Sequence, residues 1–148
     1  MSYQEKRAIV SILSSLLIFG CYSFYVFQIN QEESLSRINE PGFWGSFILI
    51  LIPVSIVAKI IIYILFLIIN KIATNESAPS FEDERDKLIE LKATRNSHYV
   101  FAIGFLLAMV TQVIDMPLYS MFIILISSGL VTEIIDEISK FYLYRRGF

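Results

Sequence analysis

The stretch from Phe43 to Ile69 reads FWGSFILILIPVSIVAKIIIYILFLII and carries a single charged side chain, that of Lys59. About 20 apolar residues in a helix cross a hydrocarbon core roughly 30 Å thick. This run is longer than that, so it predicts a membrane-spanning helix that tilts or projects beyond the bilayer. A strand of a membrane barrel is excluded because the run is continuously apolar rather than alternating.

Three further apolar runs lie at Ala8–Ile29, Tyr99–Ile114 and Pro117–Ile135. Each is predicted to be a helix in lipid, where backbone polar groups must pair within the segment. The first run is longer than the 7–15 residues or so of a signal-peptide core and lacks a small-x-small cleavage site, so it is predicted to be retained. The hydrophobic share of 55% exceeds the roughly 45–50% of soluble domains, which also favours a membrane protein.

The third membrane helix is predicted to start well before its apolar run. No Gly or Pro interrupts the segment 81–96, and Ser80 followed by Asp83 resembles a capping box. We therefore expect one long helix over 81–114, whose first half lies in or along the cytoplasmic interface. The residues before it, 70–80, are predicted to form a cytoplasmic linker.

The connection between the third and fourth helices is short. Asp115 is predicted to cap the fourth helix and Pro117 to lie in its first turn. The loop Asn30–Gly42 joins the first and second helices. The predicted fold is a single all-α membrane domain of four transmembrane helices in two antiparallel hairpins, the third helix extended into the cytoplasm, with helices at about 8–29, 43–69, 81–114 and 117–139.

Lys and Arg are distributed unequally between the two sides of this topology. The outer side has Arg37 alone. This bias predicts a multi-pass inner-membrane protein with both termini in the cytoplasm, and the high Ile, Phe, Asn and Lys content is typical of an AT-rich bacterial genome. The residues on the cytoplasmic side are Lys6, Arg7, Lys71, Arg85, Lys87, Lys92, Arg95, Lys140, Arg145 and Arg146.

Two charged residues fall within the predicted membrane helices. Lys59 and Glu133 each lie sixteen positions beyond the outer end of their helix, at roughly 24 Å depth. A charge at mid-membrane costs at least about 2.5–3.5 kcal/mol, so buried charges usually have partners. We predict contact between Lys59 and Glu133. Alternatively, Lys59 snorkels to the headgroups and Glu133 is interfacial.

Small residues recur four positions apart at Ser11 and Ser15 and at Gly104 and Ala108. This spacing lets membrane helices approach closely. It predicts packing faces on the first and third helices, used within the chain or between two copies of it.

No motif of a known catalytic site occurs, neither a zinc-binding H-E-x-x-H, nor G-x-S-x-G, nor a phosphate or dinucleotide loop. The single cysteine, Cys21, is in an apolar run, and the single histidine, His98, is eight positions from its nearest upstream acid. We predict no catalytic residues, metal or cofactor and no enzymatic activity; a lipid-acting enzyme using Glu133, Asp136 and Glu137 would lack a nucleophile. The net charge of −2 argues against nucleic-acid binding.

The densest polar feature is the start of the third helix. It is either a solvated face held by local charge pairs or a docking surface for a cytoplasmic partner. Lys92 and Arg95, nearest the membrane, are also placed to meet anionic lipid. The candidate docking residues are Glu84, Arg85, Asp86, Glu90, Lys92 and Arg95.

The same segment carries a family resemblance. The strings DERD at 83–86, IELKA at 89–93 and R-x-S-x-Y at 95–99 resemble a pattern in small prokaryotic multi-pass membrane proteins of unknown function. The resemblance covers Glu82 to Val100 and the four-helix layout. It implies that the charged lead-in to the third helix is a family feature, and His98 departs from the aromatic or neutral residue expected there.

These sequence features are consistent with two functions. The first is a non-enzymatic structural or regulatory membrane protein that acts through its charged cytoplasmic face on a second copy, another membrane protein or a cytosolic protein. The second is a small oligomeric transporter or channel using Lys59 and Glu133, with Thr111 and Gln112 as further polar groups. A solid apolar core favours the first function, and a polar cleft reaching Lys59 favours the second.

Overall fold

The computed structural model describes residues 1–29 and 31–147, and only the backbone of residues 33–35. Over the described residues the chain is all-α and contains no strand. The helices are α1 (Tyr3–Ile29), α2 (Gln31–Arg37), α3 (Pro41–Thr74), α4 (Glu84–Val113) and α5 (Leu118–Arg146).

The four longer helices, α1, α3, α4 and α5, are each long and apolar enough to cross a membrane. The predicted fold class is therefore confirmed at the level of an all-α chain with four candidate membrane spans. The sequence does not reveal α2, which interrupts the predicted loop of residues 30–42, because seven residues are too few for a clear helical period. Asn30, the first residue of that predicted loop, lies outside the described residues.

The linker was predicted to begin at residue 70, and this boundary is wrong. Helix α3 continues to Thr74, and the chain leaves it at Asn75, which has a left-handed φ of 55°. The Asn75 backbone N–H donates to the Lys71 carbonyl at 3.0 Å, which satisfies one carbonyl of the last turn. The linker is therefore 75–83.

The predicted start of α4 is also wrong. The capping box is formed by Asp83 and Asp86 rather than by Ser80, and the helix begins at Glu84. The Asp83 carboxylate accepts from the Glu84 backbone N–H at 2.8 Å, and the Asp83 N–H donates to the Asp86 carboxylate at 3.2 Å. Because Asp83 has a carboxylate and Asp86 stands three residues later, this register satisfies donors at the helix start.

This cap gives a direct prediction. Asp83→Ala is expected to lower the free energy of unfolding by about 1 kcal/mol, since it removes the side-chain acceptor at the start of α4. Ser80→Ala is the matched control and is expected to change nothing measurable. Thermal unfolding of the detergent-solubilised protein, followed by circular dichroism, measures both. A larger effect at Ser80 than at Asp83 would contradict the assignment.

The turn between α4 and α5 also differs from its predicted form. Asp115 does not cap α5; it adopts a left-handed φ of 57°. Pro117 precedes the helix as its N-cap instead of lying in its first turn. Its carbonyl accepts from the Ser120 N–H at 3.0 Å, so the helix begins at Leu118.

Helix α5 lies between α4 and α1, and α1 in turn packs against α3. The contacts of α4 with α5 join the start of one helix to the end of the other, as between Asp86 and Tyr144. The same holds for α1 and α3, where Tyr3 lies against Phe66 and Tyr22 against Phe47. The buried stripe of α4 consists of Ile89, Ala93, Ser97, Gly104, Ala108 and Thr111.

Helix α3 is the most loosely packed of the four. Its buried residues are Trp44 and Phe47 near one end and Asn70 near the other. The Trp44 ring stacks on Phe122 of α5 with 6.0 Å between centroids, and its indole N–H donates to the Ile38 carbonyl at 2.7 Å. Because α3 is anchored towards its ends, its middle leaves space against α1 and α5.

Candidate functional site

Lys59 of α3 and Glu133 of α5 form an ion pair between Lys59 Nζ and Glu133 Oε1. The two side chains are 32% and 39% exposed, so both are half-buried between helices. Measured along the helices from the Trp44–Phe122 stack, the pair lies roughly 17–22 Å further into the bundle. The structure thus brings the two predicted intramembrane residues together.

More charged side chains follow on the same face of α5. Lys140 Nζ contacts Asp136 Oδ2 at 2.6 Å and Glu137 Oε1 at 3.4 Å. Glu137 also lines a cavity together with Lys59. The spacing of Glu133, Asp136, Glu137 and Lys140 at three and four residues places them along one face of the helix.

Tyr144, near the end of α5, connects this charged face of α5 to α4. The Tyr144 hydroxyl donates to the Asp86 carboxylate at 2.9 Å. Asp86 also accepts from the Asp83 backbone N–H in the capping box. The start of α4 is therefore held to the end of α5 by a side chain that at the same time stabilises the helix terminus.

Helix α1 contributes Arg7. Its guanidinium lies over the Tyr63 ring of α3, with 5.1 Å between the guanidinium carbon and the ring centroid. The Tyr3 and Tyr63 hydroxyls are hydrogen-bonded at 3.2 Å. We call the whole set the polar network; it comprises Arg7, Lys59, Asp86, Glu133, Asp136, Glu137, Lys140 and Tyr144.

Three cavities adjoin the polar network. The smallest, about 90 Å³, lies between α1, α4 and α5 and is lined by Arg7, Asp86, Glu90, Glu137, Lys140 and Tyr144, among others. A second, about 180 Å³, shares Arg7 and Glu137 with the first and extends to Lys59 and Tyr63. The second cavity therefore reaches Lys59 from one end of the bundle, with Arg7 and Glu137 as charged groups in a lining that also contains Ile62 and Phe66.

The third and largest cavity, about 540 Å³, lies on the other side of the ion pair. Lys59 and Glu133 line one part of it, and most of the remaining lining is aliphatic or aromatic, including Ile18, Phe19 and Leu51. The hydroxyl of Ser15, one of its few other polar groups, already donates to the Ser11 carbonyl at 2.9 Å. The ion pair therefore lies between a cavity that contains charged groups and a cavity that is mostly apolar.

The six predicted docking residues do not share one face of α4. Asp86 and Glu90 line the small polar cavity beside α1 and α5. With about 100° between successive residues, the other four fall within an arc of about 100° on the outside of the helix. We call this surface the outer arc; its charged residues are Glu84, Arg85, Lys92 and Arg95, all exposed.

The predicted absence of a metal site rested on His98. That residue is exposed on α4. Within residues 1–29 and 31–147, no three His, Cys, Asp or Glu side chains are grouped closely enough to hold a metal ion.

Sequence reasoning identified Lys59 and Glu133 but not Arg7, Lys140 or Tyr144 as members of the same network. A signal for the α5 members was present in the spacing of residues 133, 136, 137, 140 and 144 at helical intervals. No comparable signal marks Arg7, since its position depends on how α1 packs against α3.

Comparison with known proteins identifies no relative of this chain. No protein-family model matches the chain, and no curated protein or solved structure is significantly similar to it. The resemblance of residues 82–100 to small prokaryotic membrane proteins stays a prediction.

Proposed function

We propose that the protein is a non-enzymatic regulatory or structural membrane protein that acts through the outer arc of α4. The observation that carries this proposal is the division of α4 into two faces. Ile89, Ala93 and Ser97 are buried in the bundle, whereas the cations of the outer arc are exposed. A charged surface displayed on an anchored helix is pre-organised for docking, which lowers the entropy cost of binding.

The chemistry of the outer arc favours an acidic partner. Three of its four charged residues are cations, and Glu84 is the one acid. Leu88, which is 46% exposed, and Tyr99, which is 62% exposed, lie on the same arc. An acidic protein segment with apolar side chains would match both the charge and the apolar groups.

We further propose that the protein lies in the cell's inner membrane as two antiparallel hairpins, with both termini and the first half of α4 in the cytoplasm. The Lys and Arg bias supports this orientation. Cysteines introduced as Ser2→Cys and Ser77→Cys in a Cys21→Ser chain should react with an impermeant maleimide from the cytoplasmic side, and Asn39→Cys from the other. Labelling of all three from one side would overturn the topology.

The docking proposal is tested by photocrosslinking in membranes of the source cell. A photoreactive amino acid at Leu88, within the outer arc, is expected to give a discrete adduct. The same amino acid at Thr94, exposed on another side of α4, is the matched control and should give none. An adduct of twice the chain's mass would identify a second copy as the partner.

Charge reversal tests the chemistry of that contact. Arg85→Glu combined with Arg95→Glu should abolish the Leu88 adduct, because like charges would face the acidic partner. Lys87→Glu, the same change outside the outer arc, should leave it intact. The proposal fails when Leu88 gives no adduct, or when all of these charge reversals reduce it equally.

The alternative, an oligomeric transporter or channel, is favoured by the charged groups in the cavity that reaches Lys59. It is disfavoured by the large cavity beyond the ion pair, whose lining is mostly apolar, since transport pathways use polar groups through the membrane. Ion flux into liposomes that Lys59→Met and Glu133→Gln abolish would support this alternative, and flux unchanged by both variants would remove it.

A further inference from the structure

Two cavities that differ in character, one with a mixed lining and one mostly apolar, meet at Lys59. The cavity of about 180 Å³ has a mixed lining, in which Arg7, Lys59, Tyr63 and Glu137 stand beside apolar side chains such as Ile62 and Phe66. We call it the polar cavity because of its charged groups. The apolar cavity of about 540 Å³ shares Lys59 with it and lies between α1, α3 and α5. A polar and an apolar compartment joined end to end match the shape of an amphiphile. The apolar cavity alone falls within the roughly 300–1,000 Å³ of ligand sites in proteins.

We propose that this joined recess binds one zwitterionic aminophospholipid, its headgroup beside Arg7 and Glu137 and one acyl chain along the apolar cavity. The second acyl chain stays in the surrounding bilayer. The recess is separate from the outer arc. A result that refutes the lipid site therefore leaves the docking proposal intact, and the reverse also holds.

The charges of the polar cavity select the headgroup. Lys59 is paired with Glu133. The other two charged residues lining the same cavity are one cation, Arg7 of α1, and one acid, Glu137 of α5, which shares Lys140 with Asp136. A phosphate matches the guanidinium, which donates in a planar fork, and a primary ammonium matches the carboxylate. A headgroup bearing both charges satisfies the two side chains together. An anionic headgroup brings no cation to Glu137, whose partner Lys140 lies at 3.4 Å and is closer to Asp136, at 2.6 Å.

The apolar cavity is accessible from the bilayer. Ile52 and Ile56 line it and are 52% and 55% exposed. They lie in the middle of α3, where that helix has no buried residue. An acyl chain therefore has a lateral entrance between helices. A second copy of the chain fits less well, because Lys59, the charged residue in the middle of its α3, is already paired with Glu133 and leaves no group for Arg7 and Glu137.

The test is a lipid titration of the purified full chain in mild detergent, read by native mass spectrometry. The probes are palmitoyl-oleoyl phosphatidylethanolamine, phosphatidylcholine and phosphatidylglycerol. We expect one phosphatidylethanolamine per chain, bound about fivefold more tightly than the other two, because the choline headgroup donates no N–H bond and the glycerol headgroup carries no cation. Equal affinity for the three lipids would overturn the proposal.

Variants separate the two compartments. Glu137→Gln should abolish the preference for phosphatidylethanolamine, and Ile52→Trp should reduce binding of all three lipids by filling the apolar cavity. Ile50→Trp, on α3 outside the cavity lining and 53% exposed, is the matched control and should bind as the unmodified chain does. Circular dichroism checks that each variant is folded. Binding that Glu137→Gln and Ile52→Trp both leave unchanged would reveal adventitious lipid on the protein surface and refute the site.

Discussion

Gly104→Ala is expected to lower the free energy of unfolding by about 1–3 kcal/mol, the usual cost of forcing extra volume into a packed interface. A Cβ built on Gly104 would overlap both Oγ and Cβ of Ser128 on α5. Ser128 has little freedom to turn away, because its hydroxyl donates to the Ile124 carbonyl at 2.6 Å. The added methyl group therefore has to push α4 and α5 apart.

The neighbouring glycine of α5 supplies the control. A Cβ built on Gly129 meets no atom within 4 Å, so Gly129→Ala should be neutral or slightly stabilising, since Ala has the higher helix propensity. Ser128→Gly in the Gly104→Ala chain should restore much of the lost stability by removing the overlapping atoms. Reversible unfolding in mixed detergent–SDS micelles, followed by circular dichroism, measures all three. Equal effects at the two glycines would contradict the close approach of α4 and α5.

The second large effect is expected at the ion pair. Lys59→Met and Glu133→Gln, each made alone, should lower the free energy of unfolding by about 2–3 kcal/mol, since each leaves one charge uncompensated at membrane depth. The lower part of that range is expected, because both side chains are about one-third exposed and partial exposure screens the charges.

The double variant tests whether the pair acts as a unit. Lys59→Met with Glu133→Gln should cost clearly less than the sum of the single variants, because no unpaired charge remains. Lys71→Met, which removes an exposed cation near the end of α3, is the control for loss of positive charge and should have little effect. Strictly additive single effects would show that the ion pair contributes no coupling between α3 and α5.

The ion pair is important because α3 has so few other contacts in its middle. Most of the described packing of α3 is at the Trp44 end, with the contacts of Tyr63 and Phe66 at the other. Loss of the pair is therefore expected to loosen α3 selectively. The same change would widen the lateral entrance to the apolar cavity, so the stability and lipid-binding measurements report on the same helix.

Much of the fold could be predicted from the sequence. The run Phe43–Ile69 and its three counterparts predict four helices, because in lipid a chain must satisfy its backbone hydrogen bonds within each segment, and four helices long and apolar enough to cross a membrane are present. The contact of Lys59 with Glu133 was predicted from their similar depths, which come from counting residues at a constant helical rise, and the two side chains do form an ion pair. Gly104 and Ala108 were predicted as a packing face by their spacing, and both are buried.

Local signals were less reliable at the helix ends. Ser80 and Asp83 both suit a helix start, and the register with Asp83 as the cap is the one in which Asp86 completes the capping box. Similarly, the apolar run of α3 gives no sign that the helix continues to Thr74. Ends depend on a few competing hydrogen bonds, so small energy differences decide them.

Which side chains meet depends on how the helices pack against one another. The sequence determined that there are four apolar helices, at which positions along them the charges lie and that the start of α4 is charged, because these properties depend on the composition and rise of one helix at a time. The contact of Arg7 with Tyr63, the joining of Asp86 to Tyr144 and the division of α4 into an outer arc and a cavity-lining face depend on the rotation of each helix against its neighbours. That rotation is set by packing between residues far apart in the chain, which no local pattern encodes.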